Sequence, residues 1–212
     1  MVALGLIASP RPDGNTAAAV RDLLGGAAER GAVTRAIDLT ARRIEPIGDC
    51  RRCISAGACG VDDDFAAVME AVYEAHLLVL GSPLYWYGPS AQLKALIDRW
   101  SCLLDREEEA FRGRMRGKPA AVVLAQGERG FYEAAPCLQM LEWTLRYLDM
   151  PLVARIVVVG HAGGDYAADE EQRARVREAG RALPGAAGVD VLPPWFHLEH
   201  EPGTRLGGVF EP

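Results

Sequence analysis

Apolar positions along this chain come in two rhythms. Short, nearly unbroken runs alternate with stretches in which apolar residues recur every three or four positions. The unbroken runs are Val2 to Ala8, Leu77 to Gly81, Ala120 to Ala125 and Leu152 to Gly160, with a weaker run at Ala32 to Leu39 that Arg35 and Asp38 interrupt. Such runs, bounded by Gly and Pro, predict strands buried on both faces. Helical spacing predicts helices over Asn15 to Arg30, Phe65 to Ala75, Ala91 to Asp105, Phe131 to Asp149 and Asp169 to Leu183. Alternating strands and helices predict an α/β three-layer sandwich with helices on both faces of a five-stranded parallel sheet. Of the two plausible strand orders, 2-1-3-4-5 puts the topological switch between strands one and three. The two most unusual loops follow those two strands, which favours that order. Residues 1–183 are expected to form one domain. The Pro- and Gly-rich tail from 184 to 212, with Trp195 and Phe196 too large to leave in water, is expected to pack on that domain or on a neighbouring subunit.

The loop after strand three holds Pro83, Leu84, Tyr85, Trp86, Tyr87 and Gly88. Large rings beside free backbone N–H groups suit a flat, conjugated ligand, which needs stacking on its face and hydrogen bonds at its edge. The loop after strand one offers Ser9, Asn15 and Thr16 as side-chain donors, Arg11 as a fixed positive charge and Gly14 for a close approach. With the N–H groups that open the next helix, this is an expected phosphate site. It lacks both the Gly-Lys-Ser/Thr of a nucleoside triphosphatase and the three-glycine dinucleotide pattern. A phosphate at one loop and a planar ring at the next describe flavin mononucleotide (FMN).

Composition narrows the reading without redirecting it. Half the residues are hydrophobic and a quarter charged, as in ordinary globular chains, and 23 basic against 29 acidic residues leave a net charge of −6. No basic run tracks a phosphate backbone, so nucleic acid is not an expected partner, and no apolar stretch approaches a membrane span. The five cysteines are odd in number, which fits a reducing cytoplasm better than a disulfide scaffold.

Ser9-Pro10-Arg11 with Gly14-Asn15-Thr16, and Ser82-Pro83-Leu84-Tyr85-Trp86 with Ser90, Lys94, Asp98 and Arg99, resemble the NADPH-dependent FMN reductase branch of the flavodoxin-like superfamily. The resemblance runs from Val2 to about Val159. It implies a flavodoxin-like fold, phosphate on the first loop and the isoalloxazine ring against the second. It also implies a third flavin loop after strand four, at Gln126, Gly127 and Glu128, a Gly-rich stretch at the end of its strand. Lys94, Asp98 and Arg99 read as helix-face and packing residues. The implied activity is transfer of hydride from NAD(P)H to bound FMN and on to a quinone, a nitro or azo compound, free flavin or another small-molecule acceptor. The implied assembly is a homodimer or homotetramer. The competing reading is a flavodoxin-like electron carrier or partner-binding flavoprotein without a nicotinamide site.

Cys50, Cys53 and Cys59 resemble the cysteine loop of the iron–sulfur flavoproteins in the same superfamily. That pattern has a further cysteine where this chain has Ile47, and a four-iron cluster takes four thiolates. The readings, in order, are a structural remnant without metal, a redox or disulfide pair activated by Arg51 and Arg52, and a cluster. Cys102 and Cys137 read as core residues, and Trp143 and Tyr147 as core or a helix–helix contact.

Overall fold

The computed structural model describes residues 1–48, 51–127, 133–185 and 189–192. In chain order the first elements are β1 (Val2–Ile7), α1 (Asn15–Glu29), β2 (Val33–Asp38), α2 (Arg52–Ala56), α3 (Phe65–Glu74), β3 (Leu77–Tyr85) and β4 (Gly88–Pro89). There follow α4 (Ala91–Met115), β5 (Ala120–Gln126), α5 (Ala135–Tyr147), β6 (Leu152–Val159), α6 (Asp165–Ala168), α7 (Glu170–Ala182) and β7 (Val189–Val191).

The strands lie in the order β2-β1-β3-β5-β6-β7, all parallel, with β4 folded back antiparallel on the end of β3. The first five places reproduce the expected order, including the switch between β1 and β3. The broken apolar pattern of β2 has a plain cause: it is an edge strand with largely exposed side chains. The expected count of five is corrected by β7. Val189, Asp190 and Val191 pair with Ala154, Arg155 and Ile156, inside the segment read as tail. Three residues carry no period of their own, so only the waiting edge of β6 makes them a strand.

Successive side chains of each strand point to opposite faces and build two cores. Leu4, Leu6, Leu78, Leu80, Val122 and Leu124 meet α3, α4 and α5. Ala3, Ile7, Val79, Val123, Ile156 and Val158 meet α1 and α7. The second face is closely packed. A Cβ on Gly180 would stand 2.1 Å from the Leu23 carbonyl oxygen, and one on Gly26 would stand 2.1 Å from that of Arg177. The backbones of α1 and α7 therefore touch. Beside that contact Asp22 accepts from Arg173 Nε at 3.0 Å, Arg177 Nη2 at 2.7 Å and the Tyr166 hydroxyl at 3.2 Å. Burial pushes the Asp22 carboxyl up, but these donors outweigh it and hold it below its ordinary value.

The opposite face is looser. α4 continues ten residues past its expected end at Asp105, through a break at Glu107 (φ −150°, ψ 45°). The polar run Arg106-Glu107-Glu108-Glu109 hides this in the sequence, and burial of Phe111 and Met115 brings the chain back onto the core. Trp143 and Tyr147 are not core: both are exposed on α5, with the Arg112 guanidinium 4.5 Å above the Tyr147 ring.

Candidate functional site

β1, β3 and β5 end together, with Ile7 paired to Gly81 and Pro83 to Ala125, so the loops that follow them share one edge of the sheet. Ligands of open parallel sheets bind at this place.

In the first loop the chain folds back on itself. Ser9 Oγ donates to the Arg11 carbonyl at 3.1 Å and accepts from Arg11 N–H at 3.3 Å, while Gly14 N–H donates to the same carbonyl at 3.0 Å. A Cβ on Gly14 would stand 3.0 Å from Arg11 Cβ and 3.2 Å from Ser9 Oγ, so glycine lets this turn close. Gly14 is also the N-cap of α1 and has no side chain to cap it. The opening N–H groups of that helix have no acceptor within it and carry the positive end of its dipole. Thr16 is buried in that first turn and the Arg11 side chain is exposed. Asn15, expected as a phosphate donor, also makes contacts within the protein. Its amide Nδ2 donates to the carbonyls of Gly160 at 2.9 Å and Ala162 at 3.0 Å, and its Oδ1 accepts from Tyr166 N–H at 3.2 Å. It ties the start of α1 to the loop after β6.

The second loop is more ordered than expected. β3 runs on to Tyr85, and β4 pairs with it, Leu84 opposite Pro89 and Tyr85 opposite Gly88. Trp86 (φ 49°) and Tyr87 (φ 64°) form the two-residue turn between them. Both are left-handed, the geometry that matches strand twist in a tight hairpin and is normally supplied by Asn-Gly. For aromatic residues it costs about 1–2 kcal/mol each. Two buried serines hold it in place. Ser82 Oγ accepts from Ser90 N–H at 2.8 Å, and Ser90 Oγ donates to the Ala8 carbonyl at 2.7 Å, which fastens the hairpin to the end of β1. The Trp86 ring is 95% exposed at the tip, between the half-exposed rings of Tyr85 and Tyr87. Pro83 and Leu84 lie behind it, partly buried.

In the third loop Gln126 is buried and its carbonyl accepts from Gly160 N–H at 3.0 Å. Around Gly127 the nearest atom to an added Cβ is His161 Nδ1 at 3.5 Å, so the backbone there is open to a close approach. Glu128 lies outside the described residues. The arrangement fits FMN: an uncapped helix start, an exposed arginine and a glycine-closed turn at one end, and strand-end backbone with aromatic rings at the other. Ser82 and Ser90 stand in the motif that the sequence offered, but their fastening role was not legible there, because it depends on a contact with the distant Ala8 carbonyl.

A cavity of about 360 Å³ lies elsewhere, between α3 and the second half of α4, bounded by Cys59, Phe65, Met69, Arg99, Glu107 and Phe111. At its wall Arg99 donates to Asp63 at 2.7 Å and to the Glu45 carbonyl at 3.1 Å, with the two side chains 3% and 2% exposed. Burial pushes the Asp63 carboxyl up, but the N–H of Glu45, the Arg99 guanidinium and the N–H of Phe65 hold it below its ordinary value. Arg99 is thus a packing residue, and Lys94 pairs with Asp98 at 2.6 Å on the exposed helix face. Cys53 is buried, Cys59 and Cys102 are half-buried, and all three are free thiols; Cys50 lies outside the described residues. Among the described residues no three His, Cys, Asp or Glu side chains are grouped as a metal site, and no helix is long and apolar enough to cross a membrane.

Residues 1–164 match the family described as NADPH-dependent FMN reductase. An iron-sulfur flavoprotein of Methanocaldococcus jannaschii is 41% identical over 99 residues, a match spanning 47% of this chain and 51% of that protein. A putative NAD(P)H-dependent FMN-containing oxidoreductase of Bacillus subtilis is 31% identical over 162 residues, 76% of this chain and 86% of that one. Among solved structures, the NAD(P)H:quinone oxidoreductase from Methanothermobacter marburgensis superposes with a TM-score of 0.68 at 23% identity, covering 86% of this chain and 96% of that one. At that identity the likeness shows a shared fold.

Proposed function

The chain belongs to the NADPH-dependent FMN reductase family, and on that premise we propose that it is an FMN-dependent oxidoreductase. It takes hydride from NAD(P)H and passes electrons to a small acceptor such as a quinone, a nitro or azo compound or free flavin. The observation that carries this reading is the convergence at one sheet edge of an uncapped helix start and an aromatic hairpin tip. Bound FMN would supply the hydride chemistry itself.

The chain's own residues bind and orient. Arg11, Thr16 and the opening N–H groups of α1 hold the phosphate, with Ser9 and Gly14 shaping the turn around it. Asn15 acts one step back by keeping that helix start against the loop after β6. Pro83, Leu84 and the backbone at Gln126 and Gly127 meet the ring edge, with Glu128 at the same loop. Tyr85, Trp86, Tyr87 and Gly88 form a fixed aromatic wall at the mouth. A rigid wall lets planar donors and acceptors stack in turn without reordering the protein. The reading extends to a reducing, cytoplasmic setting and to a homodimer or homotetramer, in which a neighbour would close the open side of the hairpin.

The test is an absorption spectrum of the freshly purified protein, before and after anaerobic addition of NADPH and NADH. A flavin spectrum that bleaches with either nucleotide is the expected result and identifies the donor. A flavin that stays oxidised would make the protein a carrier. Failure to retain or take up FMN would remove the reading.

A further inference from the structure

Two thiols from two segments lie beside one buried guanidinium on the α3/α4 side of the sheet, with a third thiol close by. Cys53 belongs to α2, Cys59 to the loop after it, and Cys102 to α4. Cys102 follows Arg99 by three residues, so both side chains leave the same face of the helix. Arg99 Nη2 stands 3.5 Å from Cys59 Sγ. The same guanidinium, Cys53 and Cys59 are all close enough to act on Cys102 electrostatically. Arg99 is held in this position by the Asp63 carboxylate at 2.7 Å, the Glu45 carbonyl at 3.1 Å and the Phe65 ring, whose centroid lies 4.4 Å away. A fixed cation in contact with one sulfur and on the same helix face as a second offers positive charge to whichever attacks or leaves as an anion.

Access separates the thiols. Cys59 lies on the wall of the 360 Å³ cavity, within reach of a small solute, whereas Cys53 is buried. Cys102 is half-buried on α4, and burial pushes its thiol up against the opposing effect of Arg99. Among the described residues, the flavin loops share no lining residue with this cavity.

We propose that Cys59 and Cys102 form a thiol–disulfide site that reacts with small hydroperoxides. The Cys59 sulfur, as thiolate, attacks the terminal oxygen of the peroxide. An S–O bond forms as the O–O bond breaks, the sulfur is oxidised by two electrons, and the proton given up by the Cys59 thiol goes to the departing oxygen, so the rest of the peroxide leaves as an alcohol, or as water from hydrogen peroxide. The Cys102 sulfur then attacks the sulfenic sulfur of Cys59. The S–S bond forms, and the departing hydroxyl takes the Cys102 proton and leaves as water. Two thiols and one hydroperoxide thus give one disulfide, one alcohol and one water.

The experiment uses the full chain, reduced, freed of reductant and titrated with hydrogen peroxide, followed by intact mass and peptide mapping. The expected product has lost two hydrogens, carries a Cys59–Cys102 cross-link and returns to the starting mass with dithiothreitol. C102S should lose the cross-link and accumulate a Cys59 sulfenic acid that dimedone traps, while C59S should show neither product. Circular dichroism and melting of both serine variants check that they fold, and the wild-type map decides alone if either does not. A cross-link between any other pair, a Cys59 that stays reduced at stoichiometric peroxide, or a purified protein whose thiols are masked by bound metal would each overturn the proposal. Because the readout is thiol chemistry, its failure leaves the flavin reading untouched.

Discussion

The two faces of the sheet hold the same chemical device in different surroundings. On the α1/α7 face, Asp22 pairs with Arg173 and Arg177, whose side chains remain 33% and 41% exposed. Water still solvates the cations, and the helices touch backbone to backbone. On the α3/α4 face, Asp63 and Arg99 are both dry and stand at the wall of a cavity beside a thiol. The first pair fastens two helices together. The second orients groups around an opening. A carboxylate–guanidinium contact therefore has no single meaning: its desolvation and its neighbours decide whether it only holds or also positions.

Breaking the dry pair should have the largest effect. Arg99→Ala leaves the Asp63 carboxylate buried without its cation and should lower unfolding free energy by about 4 kcal/mol, measured by denaturant titration. A loss below about 1 kcal/mol would mean that the site is wetter than its burial implies. Gly180→Ala comes next, since a new Cβ meets backbone that cannot rotate away; about 3 kcal/mol is expected. If that variant is as stable as the parent, α7 can lift from α1 and the contrast between the faces fails.

Asp22→Asn should cost about 2 kcal/mol near neutral pH, because half-solvated arginines lose a partner that water partly replaces. The folded Asp22 carboxyl titrates below its ordinary value, so its stabilisation is present above about pH 4 and is lost as pH falls through the folded value. The difference between parent and D22N should accordingly shrink in acid; a constant difference across the titration would contradict this. The smallest effect separates binding from tying. Arg11→Ala should weaken FMN retention about tenfold, or ~1.4 kcal/mol, with the melting temperature of the flavin-free protein unchanged. Asn15→Ala should lower that melting temperature as well, because Asn15 holds the loop after β6.

Features with a local cause were legible in the sequence. Unbroken apolar strands must be buried on both faces, and helices of the observed kind follow from their spacing, so the sheet order through β6 and the strand-end loops could be located. Other features had no local signal. Trp86 and Tyr87 do not look like a hairpin turn, because aromatic residues avoid left-handed backbone unless pairing and the Ser82–Ser90 contacts impose it. The polar stretch after Asp105 disguised the end of α4. Cys102 looked like core, although its three-residue spacing from Arg99 was the available clue that the two share a helix face.

The sequence by itself determined the fold class and the edge of the sheet where the candidate site lies, since both follow from periodicity and from which loops hold glycine, arginine and aromatic residues. The tertiary structure alone decided what those residues do. Asn15 meets Gly160, 145 positions away, and Arg99 meets Asp63, 36 positions away. Contacts between such distant positions form only when the whole chain closes, and no local propensity encodes them.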